Sequence, residues 1–145
     1  MLLRTTLALL LISRMTMASA TTMPAHLDVG LTQASAHHAF VVALEPVATP
    51  VIVNQMHNWR IHVTSPDGRA LRDAQIAVSG GMPEHGHGLP THPRVTGELA
   101  DGTYLLEGMK FSMTGWWEIR LAIKADGIDD TVTFNTLIGP QGTAR

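Results

Sequence analysis

Alternation of apolar and polar side chains is the clearest signal along this chain. Over Val51 to Thr64, Gln55, His57, Trp59, Ile61 and Val63 share one face, while Met56, Asn58, Arg60, His62 and Thr64 share the other. A period of two with one polar side predicts a half-buried antiparallel strand. Trp117, Ile119, Leu121 and Ile123 alternate in the same way with Trp116, Glu118 and Arg120. This puts Trp117 in the expected core and leaves Trp116 on the exposed face. Shorter runs at Ala39 to Leu44, Ala74 to Ser79, Arg94 to Leu99, Tyr104 to Glu107 and Val132 to Phe134 read as further strands. The turn signals Ser65-Pro66-Asp67-Gly68, Asp101-Gly102 and Asp126-Gly127 punctuate them. No long amphipathic helix and no internal repeat is visible. About seven short strands with a turn roughly every ten residues predict an all-β fold, an antiparallel β-sandwich.

One stretch breaks the pattern. Gly80-Gly81-Met82-Pro83-Glu84-His85-Gly86-His87-Gly88-Leu89-Pro90-Thr91-His92-Pro93 holds three of the eight histidines and three of the eight prolines. That density of Gly and Pro excludes a helix and a central strand, so the expectation is a shaped loop carried at the end of a sheet.

Composition narrows what such a loop can do. The chain has 145 residues, no cysteine and a net charge of −2. Its first twenty residues differ from the rest: Met1-Leu2-Leu3-Arg4 is basic, Thr5 to Ile12 is apolar, and Ala18-Ser19-Ala20 is a small-x-small site. This is the pattern of a secretory signal peptide cleaved after Ala20, and its apolar run is too short to span a bilayer. Loss of Arg4 and Arg14 with it leaves a net charge of −4. The expected location is periplasmic or secreted, with no stable membrane insertion after cleavage. An acidic balance without a basic patch excludes the usual electrostatic footprint of nucleic-acid binding. Without cysteine, neither disulfides nor thiolate ligands are available, so the core alone must hold the fold. The expected organisation is a signal peptide at 1–20, a flexible arm at 21–36, one β-sandwich domain at 37–138 and a tail at 139–145.

The remaining donor chemistry is imidazole, thioether and carboxylate. His85 and His87 flank Gly86, and in an extended segment side chains at i and i+2 point the same way, so both rings can meet one ion. Met82 and His92 share the loop, and Met109 and Met113 follow a strand farther on. Imidazole with thioether suits copper, and thioether selects Cu(I). The candidate metal residues are therefore Met82, His85, His87, His92, Met109 and Met113. The same residues also fit a structural loop in which histidines bond nearby carbonyls and methionines fill gaps. His57, on an apolar face, reads first as a hydrogen-bonded core histidine and second as an extra ligand. Nothing points to catalysis: there is no G-x-S-x-G elbow, no H-E-x-x-H and no phosphate-cradling glycine loop.

The order of these motifs resembles a known group. Asn58-Trp59 is followed by Asp67-Gly68, Asp73-Ala74-Gln75-Ile76, and Gly81-Met82-Pro83-Glu84-His85-Gly86-His87-Gly88-Leu89-Pro90-Thr91. Then come Gly102-Thr103-Tyr104, Glu107-Gly108-Met109-Lys110-Phe111 and Gly115-Trp116-Trp117-Glu118. This resembles the YtkA-like and FixH-like small extracytoplasmic domains over residues 37 to 136. The resemblance implies an immunoglobulin-like sandwich outside the cytoplasm. FixH-like relatives are associated with assembly of copper-containing respiratory oxidases, but they usually keep an N-terminal membrane anchor, so the YtkA-like comparison fits better. The functional expectation is a non-catalytic accessory protein that binds or delivers copper to an envelope partner through its His/Met loop. The alternative is a metal-independent interaction module presenting the loop and Trp116.

Overall fold

A computed structural model describes residues 21–140. Nine strands run β1 (Thr32–Ala34), β2 (Val41–Pro46), β3 (Met56–Thr64), β4 (Gln75–Met82), β5 (His87–Gly88), β6 (Arg94–Ala100), β7 (Thr103–Lys110), β8 (Gly115–Ala125) and β9 (Ile128–Ile138). They form two antiparallel sheets, ordered β1-β2-β3-β7-β6 and β5-β4-β8-β9. No helix is present among the described residues. The expected all-β sandwich is thus observed. The two strands beyond the expected seven are the shortest, β1 and β5.

The alternating faces become the core. Trp59, Ile61 and Val63 of β3 meet Trp117, Ile119, Leu121 and Ile123 of β8, with Val132 and Phe134 of β9, all essentially inaccessible. Burying such side chains contributes about 1.5–3 kcal/mol each, which is what holds a chain that has no disulfide. Trp59, Phe111 and Trp117 meet edge to face, with ring centroids 6.4 and 5.4 Å apart.

Three features depart from the sequence reading. First, β4 does not stop at Ser79: Gly80, Gly81 and Met82 continue it as an inner strand between β5 and β8. Glycine is tolerated there because the neighbours come too close for a side chain. A Cβ on Gly80 would lie 2.1 Å from the Glu118 carbonyl oxygen, and one on Gly81 would lie 2.2 Å from that of His87.

Second, residues 21–36 are not a loose arm. The Thr21 N–H donates to the Pro83 carbonyl at 3.0 Å, and the Asn135 amide donates to the Asp28 carbonyl at 3.0 Å. The segment then forms β1 against β2, and the Ala36 N–H donates to the Thr131 carbonyl at 2.8 Å. It closes the open side between β2 and β9. The expected signal peptide at 1–20 and the last five residues lie outside the described residues.

Third, Trp116 is buried, with its indole N–H on Asn135 Oδ1 at 2.9 Å. The N-terminal segment runs from Pro83, beyond β4, to Asn135 on β9, and so crosses β8 at Trp116. Alternation put this ring on the outer face correctly, but the ring is buried there against Asn135, whose amide also holds the N-terminal segment at Asp28.

Polar ties lock the end of the sandwich farthest from Pro83. The Tyr104 hydroxyl donates to the Leu71 carbonyl at 2.6 Å and accepts from the Ala74 N–H at 2.9 Å, fixing the link from β3 to β4. Burial pushes the Tyr104 phenol above its ordinary value of 10.0. Tyr104→Phe should therefore lower stability by about 1–3 kcal/mol in denaturant unfolding, because two backbone groups lose a buried partner.

The Asp130 side chain is fully buried and accepts from the His37 N–H at 3.0 Å and the Thr131 N–H at 2.8 Å, with His37 Nδ1 at 2.9 Å. Burial alone would push this carboxyl up. Hydrogen bonds from the Ser35 side chain, the Thr131 N–H and His37 outweigh it and hold the group well below its ordinary value of 3.8. A lowered carboxylate adds stability that is present above pH 3.8 and lost as the pH falls below that value. Melting temperatures measured across acid pH should show this loss in the wild type. Asp130→Asn should be less stable at neutral pH and show a flatter acid limb.

A histidine hairpin over a buried tryptophan

The His/Met stretch is a tight hairpin joining β4 to β5. Met82 and His87 are opposite partners, as are Gly81 and Gly88. Between them Pro83-Glu84-His85-Gly86 turns the chain, with the N–H groups of His85 and Gly86 both on the Met82 carbonyl at 3.1 and 3.0 Å. Gly86 has φ +65°, a left-handed conformation that favours glycine, and a Cβ there would meet open space. His85 therefore sits in a turn, not in the extended segment expected. The two rings nonetheless stack, with centroids 5.9 Å apart and planes 25° from parallel.

His87 is held from two sides. Its Nδ1 lies 3.0 Å from the Gly88 carbonyl oxygen. Nδ1–H donating there leaves the Nε2 lone pair free for a ligand. Its ring meets Trp117 edge to face at 5.6 Å and 66°. This contact follows from register. Gly81 pairs with Glu118, so the next position places Met82 beside Trp117, and Met82 pairs with His87. One row across three strands thus carries His87, Met82 and Trp117 toward the core side. Met82 is 1% exposed, and its methyl would lie 2.9 Å from a Cβ on Gly115.

The other candidates divide. Met113 is 40% exposed and its carbonyl accepts the Trp117 indole N–H at 3.1 Å, so it borders the same ring as His87. Met109 is fully buried in the core on β7, in the opposite sheet. His92 lies in the crossover from β5 to β6 and lines a cleft of about 240 Å³ with Met56, Thr91, Arg94, Glu107 and Gly108. Neither joins the stacked pair. His57 is a core histidine whose Nε2 sits 3.1 Å from the Ile52 nitrogen and 2.8 Å from its oxygen, pinning the loop before β3. Trp117 is the site residue that sequence reasoning assigned only to the core. Its relation to His87 depends on the strand register through β4, which alternation does not reveal.

Among the described residues no group of three or more histidines and acids could hold a metal ion. The paired imidazoles of His85 and His87 have no third imidazole or carboxylate grouped with them, and the thioether of this strand row is that of Met82, the partner of His87. A neutral set of this kind fits a soft monovalent ion better than a hard one.

A family model described as YtkA-like matches residues 36–122. The chain belongs to the YtkA-like family. The crystal structure of a DUF4426 family protein from Pseudomonas aeruginosa is similar, with a TM-score of 0.51 at 16% identity, covering 75% of this chain and 96% of that one. At that identity the likeness concerns the fold. No curated protein matches in sequence. The match begins within the turn after β1 and ends inside β8, so the hairpin and Trp117 lie within the YtkA-like region. No helix among the described residues is long and apolar enough to cross a membrane.

The hairpin of this YtkA-like domain depends on close strand approach at Gly81. Gly81→Ala should push β5 away, lower stability by about 1–3 kcal/mol and weaken the His87–Trp117 contact. A calorimetric melt together with near-ultraviolet circular dichroism of the tryptophans checks both.

Proposed function

We propose that this YtkA-like chain is an extracytoplasmic, non-catalytic accessory protein that binds copper at the β4–β5 hairpin and passes it to an envelope partner. One observation carries the reading: the stacked, exposed pair of His85 and His87, with His87 Nε2 left free and the Met113 backbone bonded to the ring that braces His87. His85 and His87 would hold the ion, with Met113 or Met82 supplying sulfur. Bound copper would contribute only its own ligand affinity. The protein's part is to hold Nδ1 of His87 in its hydrogen bond and to keep the site open. A site with few protein ligands at an exposed turn favours transfer, because a partner donor can enter before the first ligands leave. The leader-like sequence at residues 1–20 and the family's extracytoplasmic setting support the location.

A second reading rests on a different observation. Met23, Val47, Ile52, Met56 and Met113 are exposed, and all lie at the hairpin end of the sandwich. A metal-independent module could use that apolar rim for a protein partner. Capture of the same envelope partner by wild type and by a His85→Ala, His87→Ala variant, with and without chelator, would favour it.

For the copper reading, the measurement is titration of the purified protein with Cu(I) and with Cu(II). The double histidine variant should bind each ion at least about tenfold more weakly, equal to about 1.4 kcal/mol. Equal affinities in the two proteins would remove the proposal.

A further inference from the structure

Trp117 touches both sides of the hairpin end. Its ring meets His87 at 5.6 Å, and its indole N–H donates to the Met113 carbonyl at 3.1 Å. The side chain is wholly buried and is backed by Phe111 at 5.4 Å, which itself meets Trp59 at 6.4 Å. These contacts leave the indole little freedom. The segment from Phe111 to Gly115 is otherwise a bend between β7 and β8. It carries the exposed Met113, whose backbone carbonyl is held by that N–H. One rigid ring therefore meets the His87 imidazole and holds the backbone of the residue that carries a soft sulfur donor.

We infer that Trp117 is a positioning residue that tunes the hairpin toward Cu(I), by tying the Met113 segment to the ring that braces His87. The inference rests on the copper reading above and deepens it. Imidazole binds both oxidation states, whereas thioether favours the monovalent one. A tie that holds Met113 near His87 therefore strengthens Cu(I) binding and changes Cu(II) binding little. Loss of the tie should act selectively on Cu(I), which a general loosening of the fold would not do.

Trp117→Phe separates the two contacts. The aromatic ring facing His87 remains, and the N–H to Met113 is lost. The readouts are Cu(I) affinity, Cu(II) affinity and the one-electron reduction potential of the bound copper. Cu(I) binding should weaken about tenfold with Cu(II) binding unchanged, which lowers the potential by about 59 mV. Met113→Leu removes the sulfur without touching the core and should lower the potential in the same direction. Combining the two should add nothing beyond Met113→Leu alone.

Unchanged potential in folded Trp117→Phe would overturn the inference while leaving the copper reading in place. So would an unchanged potential in Met113→Leu, which decides the matter even if Trp117→Phe does not fold. Equal weakening of both oxidation states would also overturn it, since that is the mark of a merely structural residue. If the wild type binds neither ion, the copper reading fails and the inference falls with it.

Discussion

At Gly80 and Gly81 three strands lie closer together than any side chain would permit. Carbonyl oxygens of β8 and β5 occupy the places where Cβ atoms would be, 2.1 and 2.2 Å away. The hairpin is thus pressed onto the sheet and does not hang from it. Everything distinctive about the site follows from this approach. Met82 turns inward, His87 comes over the row that leads to Trp117, and the turn from Pro83 to Gly86 is short enough to stack His85 on His87. A wider hairpin would keep every ligand candidate in the sequence and lose their relation to the core.

The sandwich was legible because β3 and β8 alternate over long runs with aromatic and branched residues on one face, and a period of two has a single structural meaning there. The hairpin was only half legible. Its Gly/Pro density signalled a special backbone, but density alone does not separate glycines that turn the chain from glycines that admit a neighbour. Gly86 does the first, while Gly80 and Gly81 do the second. Residues 21–36 carry small and polar side chains and looked unanchored. Their anchors are largely backbone groups and partners about a hundred positions away, such as Thr131 for Ala36 and Asn135 for Asp28. Long-range pairing of this kind leaves no local pattern. Trp116 shows the same limit, since strand alternation fixes its side of the sheet but not what lies over it.

The chain's chemistry is sorted by topology. Met56 begins β3, Met82 ends β4, Met109 is near the end of β7, Met113 precedes β8, and Met23 follows the bond from Thr21 to Pro83. Antiparallel order brings these sequence-distant positions to one end of the sandwich, with His57, His85, His87 and His92. Every methionine among the described residues is found there. The opposite end holds the Tyr104 and Asp130 networks, built from a phenol, a carboxylate and backbone N–H groups.

This division has a physical consequence. Side chains at an exposed turn are free to shift, and such groups contribute little to stability. In a cysteine-free chain the stability lost at one end has to come from the core and from fully satisfied buried polar groups elsewhere. The Asp130 carboxylate takes several hydrogen bonds at the end where nothing needs to move. At the hairpin end Trp117 faces both requirements at once. It is packed as a core residue among Phe111 and its neighbours, yet its outer edge is the boundary of the exposed donors. The rigid half of the molecule therefore reaches the exposed histidine pair through one indole, packed on Phe111 on one side and against His87 on the other.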